Sequence, residues 1–262
     1  MPFIERKIVS GDLCEVSRYW VPRMPGQSSP IRRGCVSEGT SGSMERYNEV
    51  AAWQRLARLI RCNFSGAAGD LVLTLTCRER LTEESFRAEL ARYIRRVRSY
   101  RRKSSMSELR YICVTECQSG RWHAHLILSA MPVEDALRPW EQMGRAWASH
   151  VDDRQITGAD ALAAYLLEQD KPRRGERQKP AAENAKEPRR KHKRRWSCSK
   201  NLTQPLVTVR EIKRVGRSLP RPPRGCVILP GWRIGADPFG NLFQHYSYIQ
   251  RPQPRKDERE RQ

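Results

Sequence analysis

Residues 111–128 read YICVTECQSGRWHAHLIL, two runs of strand-forming residues on either side of a Ser-Gly turn signal. Side chains alternate between the two faces of a strand, so His123 and His125 share one face and Leu126 lies on the other. The Cα atoms of the two histidines would be about 7 Å apart, close enough for both rings to reach one ion. The alternative is a pair of half-exposed histidines on a solvated sheet face.

The turn also predicts which residues face each other across this hairpin. With Ser119 and Gly120 as the two loop residues, Glu116 lies directly opposite His123, on the face that also carries His125. Two imidazoles and one carboxylate form a credible three-ligand site for a divalent ion, with Mg²⁺ or Mn²⁺ favoured and Zn²⁺ also accepted. A slip of one residue in the pairing would instead turn Glu116 away and leave it as a solvated carboxylate.

The composition indicates a polyanionic partner. The chain has 262 residues with 50 Lys and Arg against 29 Asp and Glu, a formal charge of +21, which is typical of nucleic-acid-binding proteins. A membrane partner is disfavoured, since no apolar run approaches 18 residues and the first residues do not resemble a signal peptide. The eight cysteines form no CxxC motif, so no zinc ribbon is indicated. We expect a soluble, cytoplasmic protein that binds nucleic acid.

Strand and helix patterns divide the chain into four parts. Residues 67–170 follow the order β-α-β-β-α-β-α, which predicts an α+β fold of ferredoxin-like type, with an antiparallel sheet and helices on one face. The other parts are an N-terminal segment with a basic amphipathic helix (1–66), a basic insertion expected to be disordered (171–200), and a small C-terminal β extension with a hairpin and a tail (201–262). The last helix of 67–170 begins near Thr157 and carries Tyr165, which by itself is more typical of a packing residue.

Several motifs together resemble a known family. LVLTLTC, YICVTECQSGRWHAHLIL, AAYLL and RRWSCSKNL occur in this order, and the set resembles the rolling-circle replication initiators of phages, plasmids and integrated elements, which belong to the HUH endonucleases. The resemblance implies that His123 and His125 form the metal motif, with Glu116 as its acidic partner. It also implies that Tyr165 is the catalytic nucleophile. The family commonly has a lysine three residues after this tyrosine; here that position is Glu168, and Lys171 is the candidate for the catalytic lysine.

The resemblance also implies an activity and partners. Metal-dependent nicking of single-stranded DNA through a 5′-phosphotyrosine would leave a free 3′-hydroxyl that primes rolling-circle replication. The implied partners are a replication origin and the helicase and polymerase of a bacterial host, in whose cytoplasm the protein would act. A single-tyrosine transposase or a conjugative relaxase would share the metal-binding strand and the tyrosine. A regulator that binds nucleic acid without catalysis is the alternative of another class.

The basic insertion is the candidate for DNA contact. Residues 171–200 contain 13 Lys and Arg against three Glu, and they have few apolar residues. Each phosphate that such a segment neutralises adds salt-dependent affinity, and a tryptophan can stack on an unpaired base. The predicted DNA-binding residues are Arg189, Arg190, Lys191, Lys193, Arg194, Arg195 and Trp196. The alternative is a solvated charged loop.

Overall fold

A computed structural model describes residues 3–22, 42–118, 120–151, 158–168 and 196–250. Their helices and strands are, in chain order, β1 (Phe3–Ser10), β2 (Leu13–Trp20), α1 (Gly42–Asn63), β3 (Leu71–Cys77), α2 (Glu83–Lys103), β4 (Tyr111–Gln118), β5 (Arg121–Leu128), α3 (Val133–Leu137), a 3₁₀ turn (Arg138–Trp140), β6 (Gly144–His150), α4 (Gly158–Glu168), β7 (Ser197–Cys198), β8 (Leu206–Ile212), β9 (Cys226–Ile228), β10 (Arg233–Ala236) and β11 (Leu242–Gln250).

The central part of the chain forms a five-stranded antiparallel sheet in the order β6-β3-β5-β4-β7. Strands β3 and β4, which are joined by α2, run on either side of β5, and this is the split β-α-β arrangement of ferredoxin-like folds. The predicted α+β class and the predicted order of elements in this region are therefore confirmed.

Helix α2 begins where the sequence predicts. The Thr82 hydroxyl accepts a hydrogen bond from the Ser85 amide at 3.2 Å, which caps the first turn. Glu83 and Glu84 occupy this turn, and Arg101, Arg102 and Lys103 occupy the last one, so that the side-chain charges at both ends complement the helix dipole.

One face of the sheet packs against α2 and α3. Alternate residues of β3 and β5 are fully buried there, and burying a leucine in this way contributes about 1.5–3 kcal/mol to folding. The helices contribute Phe86, Tyr93 and Val97 from α2 and Ala136 from α3. The sheet residues of this core are Leu71, Leu73, Leu75, Cys77, Cys113, Ala124, Leu126 and Leu128.

The other face of the sheet is covered as well, which corrects the expectation of helices on one face only. Leu56 and Ile60 of α1 and Leu166 of α4 pack in one buried cluster with sheet residues. The sheet residues of this second core are Val72, Ile112, Val114 and Ile127. These four side chains are as apolar as those of the first face, and they too require cover from water.

A second sheet brings together the two ends of the chain. It has six strands, with the order β10-β11-β2-β1-β8 and with β9 paired to β11. The predicted C-terminal hairpin is present as β10 and β11, whereas β1 and β2 were not predicted as strands. By internal contacts, residues 1–44 and 204–262 form one compact unit and residues 45–203 form another. Most of α1 thus belongs to the unit of the five-stranded sheet, whereas the division predicted from the sequence placed this helix in the N-terminal segment, 1–66.

None of the helices in the described ranges is long and apolar enough to cross a membrane.

Candidate active site

The β4–β5 hairpin has the register that the sequence predicts. Glu116 lies opposite His123, Val114 lies opposite His125, and Gln118 lies opposite Arg121. Gly120 in the turn has a φ of 74°, a left-handed conformation that glycine adopts without strain. The register places the carboxylate and both histidines on one face of the sheet.

Glu116 and His125 form a buried pair. The Nε2 atom of His125 lies 2.9 Å from the Oε1 atom of Glu116. Only 4% of His125 and 8% of Glu116 are exposed. Glu116 therefore reaches diagonally across the strand pair to His125, rather than to His123 directly opposite.

Two threonines of β3 hold the histidine rings from the opposite side. Thr74 pairs with His125 and Thr76 pairs with His123 across the β3–β5 ladder. The Thr74 hydroxyl lies 3.2 Å from Nδ1 of His125, and the Thr76 hydroxyl lies 2.9 Å from Nδ1 of His123. Metal-binding histidines commonly have their second ring nitrogen held by such a partner, which fixes the orientation of the ring.

These two threonines were not predicted as part of the site, although the sequence contains a signal for them. In LVLTLTC they alternate with leucines, which places them on the face opposite Leu73 and Leu75. That face becomes the histidine face only once β3 is known to pair with β5.

The surroundings of His123 favour its neutral form. Burial is the main cause that lowers the pKa of His123, and the nearby charges of His125 and Arg121 lower this pKa further, while Glu116 opposes the shift. A neutral imidazole retains the nitrogen lone pair that a metal ion requires.

The donor chemistry fits a divalent ion, because carboxylate oxygens and imidazole nitrogens are ligands that Mg²⁺, Mn²⁺ and Zn²⁺ accept. The geometry brings together two of the three predicted ligands, Glu116 and His125. Within the described ranges, no group of three or more His, Cys, Asp or Glu side chains is arranged to hold a metal ion. The participation of His123 as a third ligand stays a prediction.

Tyr165 lies beside this pair. Its ring meets the ring of His125 edge to face, with centroids 5.7 Å apart and an interplanar angle of 85°. The residue is 42% exposed, so it is accessible to a molecule in solution. The neighbouring Ala163 and Leu166 are buried in the second core, and they fix the face of α4 that Tyr165 borders.

Helix α1 fixes the start of α4 through one residue. The Trp53 indole donates a hydrogen bond to the Asp160 carbonyl at 3.0 Å, and an Arg61 guanidinium nitrogen lies 2.6 Å from the Asp160 carboxylate. Asp160 precedes Tyr165 by five residues on an 11-residue helix. The contacts of α1 therefore help to set where the tyrosine lies.

The other predicted residues are distributed differently. Lys171 and the basic residues Arg189, Arg190, Lys191, Lys193, Arg194 and Arg195 lie outside the described residues. Trp196 is described, and it packs half-buried against the second core. A ring in this position stabilises the core, and base stacking by Trp196 stays a prediction.

Comparison with known proteins gives one finding about the family. No curated protein and no solved structure matches the chain. A family model, that of the replication-associated protein ORF2/G2P, matches residues 70–169. This range contains Glu116, both histidines and Tyr165. The match identifies residues 70–169 as similar to the replication-associated proteins ORF2/G2P, and it confirms the resemblance to rolling-circle replication initiators.

Proposed function

We propose that this protein initiates DNA replication by nicking one strand of DNA, with Tyr165 as the nucleophile. The observation that carries the proposal is the position of Tyr165, whose ring touches His125 of the His125–Glu116 pair. A tyrosine with only a packing role would not need to be 42% exposed beside the buried Glu116–His125 pair. The family match supports a role in replication.

The reaction follows from the chemistry of these groups. The Tyr165 oxygen attacks the scissile phosphorus and releases its proton to solvent, while the bond from phosphorus to the 3′-oxygen breaks and the leaving oxygen takes up a proton from solvent. The products are a 5′-phosphotyrosine and a free 3′-hydroxyl. Because the phosphotyrosine is itself an ester of phosphate, a later attack by a 3′-hydroxyl can reverse the step and join strands. The released 3′-hydroxyl suits a host polymerase, and strand separation ahead of it would require a helicase.

Glu116, His125 and His123 would hold a Mg²⁺ or Mn²⁺ ion, which when bound polarises the scissile phosphate and offsets its developing charge. The protein's own contribution is orientation. Thr74 and Thr76 hold the imidazoles at Nδ1, and α1 holds the helix that carries Tyr165. Preorganised groups of this kind lower the barrier because they need not rearrange during the reaction.

A covalent adduct tests the proposal. Single-stranded DNA with an origin-like sequence is incubated with the protein and Mn²⁺, and a protein–DNA adduct is sought by denaturing electrophoresis. We expect the wild-type protein to form the adduct, and Tyr165→Phe or a chelator to abolish it. Tyr111→Phe is the matched control, since it removes the same atom from a tyrosine that packs against the first core.

Two results would contradict the proposal. An adduct that Tyr165→Phe still forms would assign the nucleophile to another residue. A wild-type protein that binds single-stranded DNA but forms no adduct at any Mn²⁺ concentration would favour the non-catalytic regulator.

A further inference from the structure

Helix α2 has an unusual distribution of charge. After Glu89 it contains seven basic residues and no acidic residue up to its end at Lys103. These residues are Arg92, Arg95, Arg96, Arg98, Arg101, Arg102 and Lys103. Like charges three or four positions apart destabilise an isolated helix, so this concentration of arginine needs an explanation outside the helix.

Structural roles account for only some of these residues. Arg101 is 3% exposed and donates hydrogen bonds to the carbonyl groups of Ser107, Ser129 and Ala130. Arg92 contacts Glu89. Arg96 donates to the carbonyl of Pro139 at 3.1 Å. Arg98 lies over the Tyr111 ring but remains exposed, so it is still accessible to a partner.

Arg95, Arg102 and Lys103 remain exposed, and no carboxylate among the described residues forms an ion pair with them. Arg95, Arg98 and Arg102 are spaced at i, i+3 and i+7, which puts them on one face of α2. With a rise of about 1.5 Å per residue, Arg95 and Arg102 lie roughly 10 Å apart along the helix. Three charges held within about 10 Å on a rigid element match about three phosphates of one DNA strand, which carries one charge per roughly 3.4 Å of the helix axis.

We propose that this arginine surface of α2, formed by Arg95, Arg98 and Arg102, binds the phosphate backbone of duplex DNA. Contacts to phosphate position a protein on DNA without reading its sequence. Duplex DNA is favoured over a single strand, because binding of single strands relies on aromatic rings that stack on bases. The aromatic side chains of α2 are not available for stacking. Phe86 and Tyr93 are buried, and Tyr100 is half-buried and donates a hydrogen bond to the Asp135 carboxylate.

The arginine surface and Tyr165 lie on opposite sides of the five-stranded sheet. Helix α2 packs on the face that carries Leu126, whereas Tyr165 contacts His125 on the other face. A duplex on α2 and a strand at Tyr165 would therefore be separate stretches of nucleic acid. The role of the surface is to hold the duplex beside a single-stranded region, and it does not depend on whether Tyr165 cleaves.

A matched pair of double variants tests this inference. The test variant, Arg95→Gln/Arg102→Gln, removes two exposed charges that have no ion-pair partner among the described residues. The control variant, Arg87→Gln/Arg92→Gln, removes two charges from the same helix. These two arginines form ion pairs with Glu83 and Glu89. Affinity for a 20-base-pair duplex is measured over a salt series with chelator present, so that cleavage plays no part. We expect the first variant to reduce the slope of log K against log salt by about 1.8, or 0.9 per lost phosphate contact.

The control variant should leave this slope close to the wild-type value, and thermal unfolding should show both variants folded. Binding to a 30-nucleotide single strand should change much less than duplex binding. Equal slopes for wild type and the Arg95→Gln/Arg102→Gln variant would overturn the inference. An equal loss for duplex and single strand would overturn its assignment to duplex DNA.

Discussion

The two faces of the five-stranded sheet are built from alternate residues of the same strands, yet they differ in kind. Near the hairpin, the face under α2 carries Leu75 and Ala124, both fully buried. At the same level, the other face carries Thr76, His123 and Glu116. One residue along the strand separates a side chain of the apolar core from one that we propose takes part in the reaction.

The second face also changes along its own length. At the end away from the hairpin, Val72, Ile112 and Ile127 are buried together with Leu56 of α1 and Leu166 of α4. Towards the hairpin, the sheet residues become polar, and the part of α4 that packs on this face ends at the exposed Tyr165. The apolar end anchors α4, and this anchoring places Tyr165 beside the polar end.

Substitution of two adjacent residues is the strongest test of this division. His125→Gln keeps hydrogen-bonding groups but loses the imidazole, and we expect nicking to fall by about 10³-fold, equivalent to about 4 kcal/mol of lost transition-state stabilisation. Leu126→Ala should lower the free energy of unfolding by about 2–5 kcal/mol, because it leaves a cavity in the first core. Urea denaturation and adduct formation per folded molecule measure the two effects. If His125→Gln destabilised the fold as much as Leu126→Ala and still nicked DNA, the two faces would not differ as described.

Glu116→Gln tests the role of the carboxylate charge at the polar end of this face. The amide keeps the shape of the side chain but loses the charge, so the affinity for Mn²⁺ should fall at least about 10–100-fold, the loss typical of supporting groups around a metal ion. Raising the Mn²⁺ concentration should restore part of the nicking activity. Glu108→Gln is the control, because it removes the same charge from an exposed residue before β4. Unchanged metal dependence of Glu116→Gln would mean that the carboxylate serves only to hold His125.

The parts of this site that were predictable from the sequence are the local ones. A loop of two residues between Gln118 and Arg121 fixes the β4–β5 register, and the two-residue period of strands then places Glu116 with the histidines. Thr74 lies 51 residues before His125, and no local pattern indicates which strand β3 will join. The pairing of β1 with β8, in which Glu5 lies opposite Arg210, was not predictable for the same reason, because these strands are also far apart in the sequence.

The packing of α1 and α4 on the second face was not predictable for a different reason. The sequence shows the apolar pattern of α1 and the largely apolar composition of α4, but neither feature says which surface the helix will cover. Alternation at Val72, Ile112 and Ile127 was hidden because both faces of these strands are apolar away from the hairpin. Runs of apolar residues without alternation are typical of strands buried on both faces.

A pair of threonine substitutions probes the support of the rings. Thr76→Val removes the hydroxyl that holds Nδ1 of His123. Loss of a group that supports a metal ligand typically lowers metal affinity or activity about 10–100-fold, and we expect a loss of about tenfold here. Thr115→Val is the matched control, since Thr115 pairs with Ala124 and so belongs to the other face. Isothermal titration with Mn²⁺ measures the difference. Equal titration curves for the two variants would show that the threonine contact has no effect on the site.

The smallest expected effect concerns the ion pair that links the two helices over the second face. Arg61→Gln removes a guanidinium that lies 2.6 Å from the Asp160 carboxylate and is only 10% exposed. The pair is partly exposed on the Asp160 side, so its loss should cost about 1 kcal/mol, and a similar loss in positioning Tyr165 would slow adduct formation about fivefold. Arg55→Gln on the exposed part of α1 is the control. Because the effect acts through the position of α4, the rate of the chemical step should fall while affinity for single-stranded DNA stays unchanged, and Arg61→Lys should restore part of the rate. A drop in DNA affinity with an unchanged rate would instead show that Arg61 contacts DNA. The packing of Ala163 and Leu166 would then be the main contact that positions Tyr165.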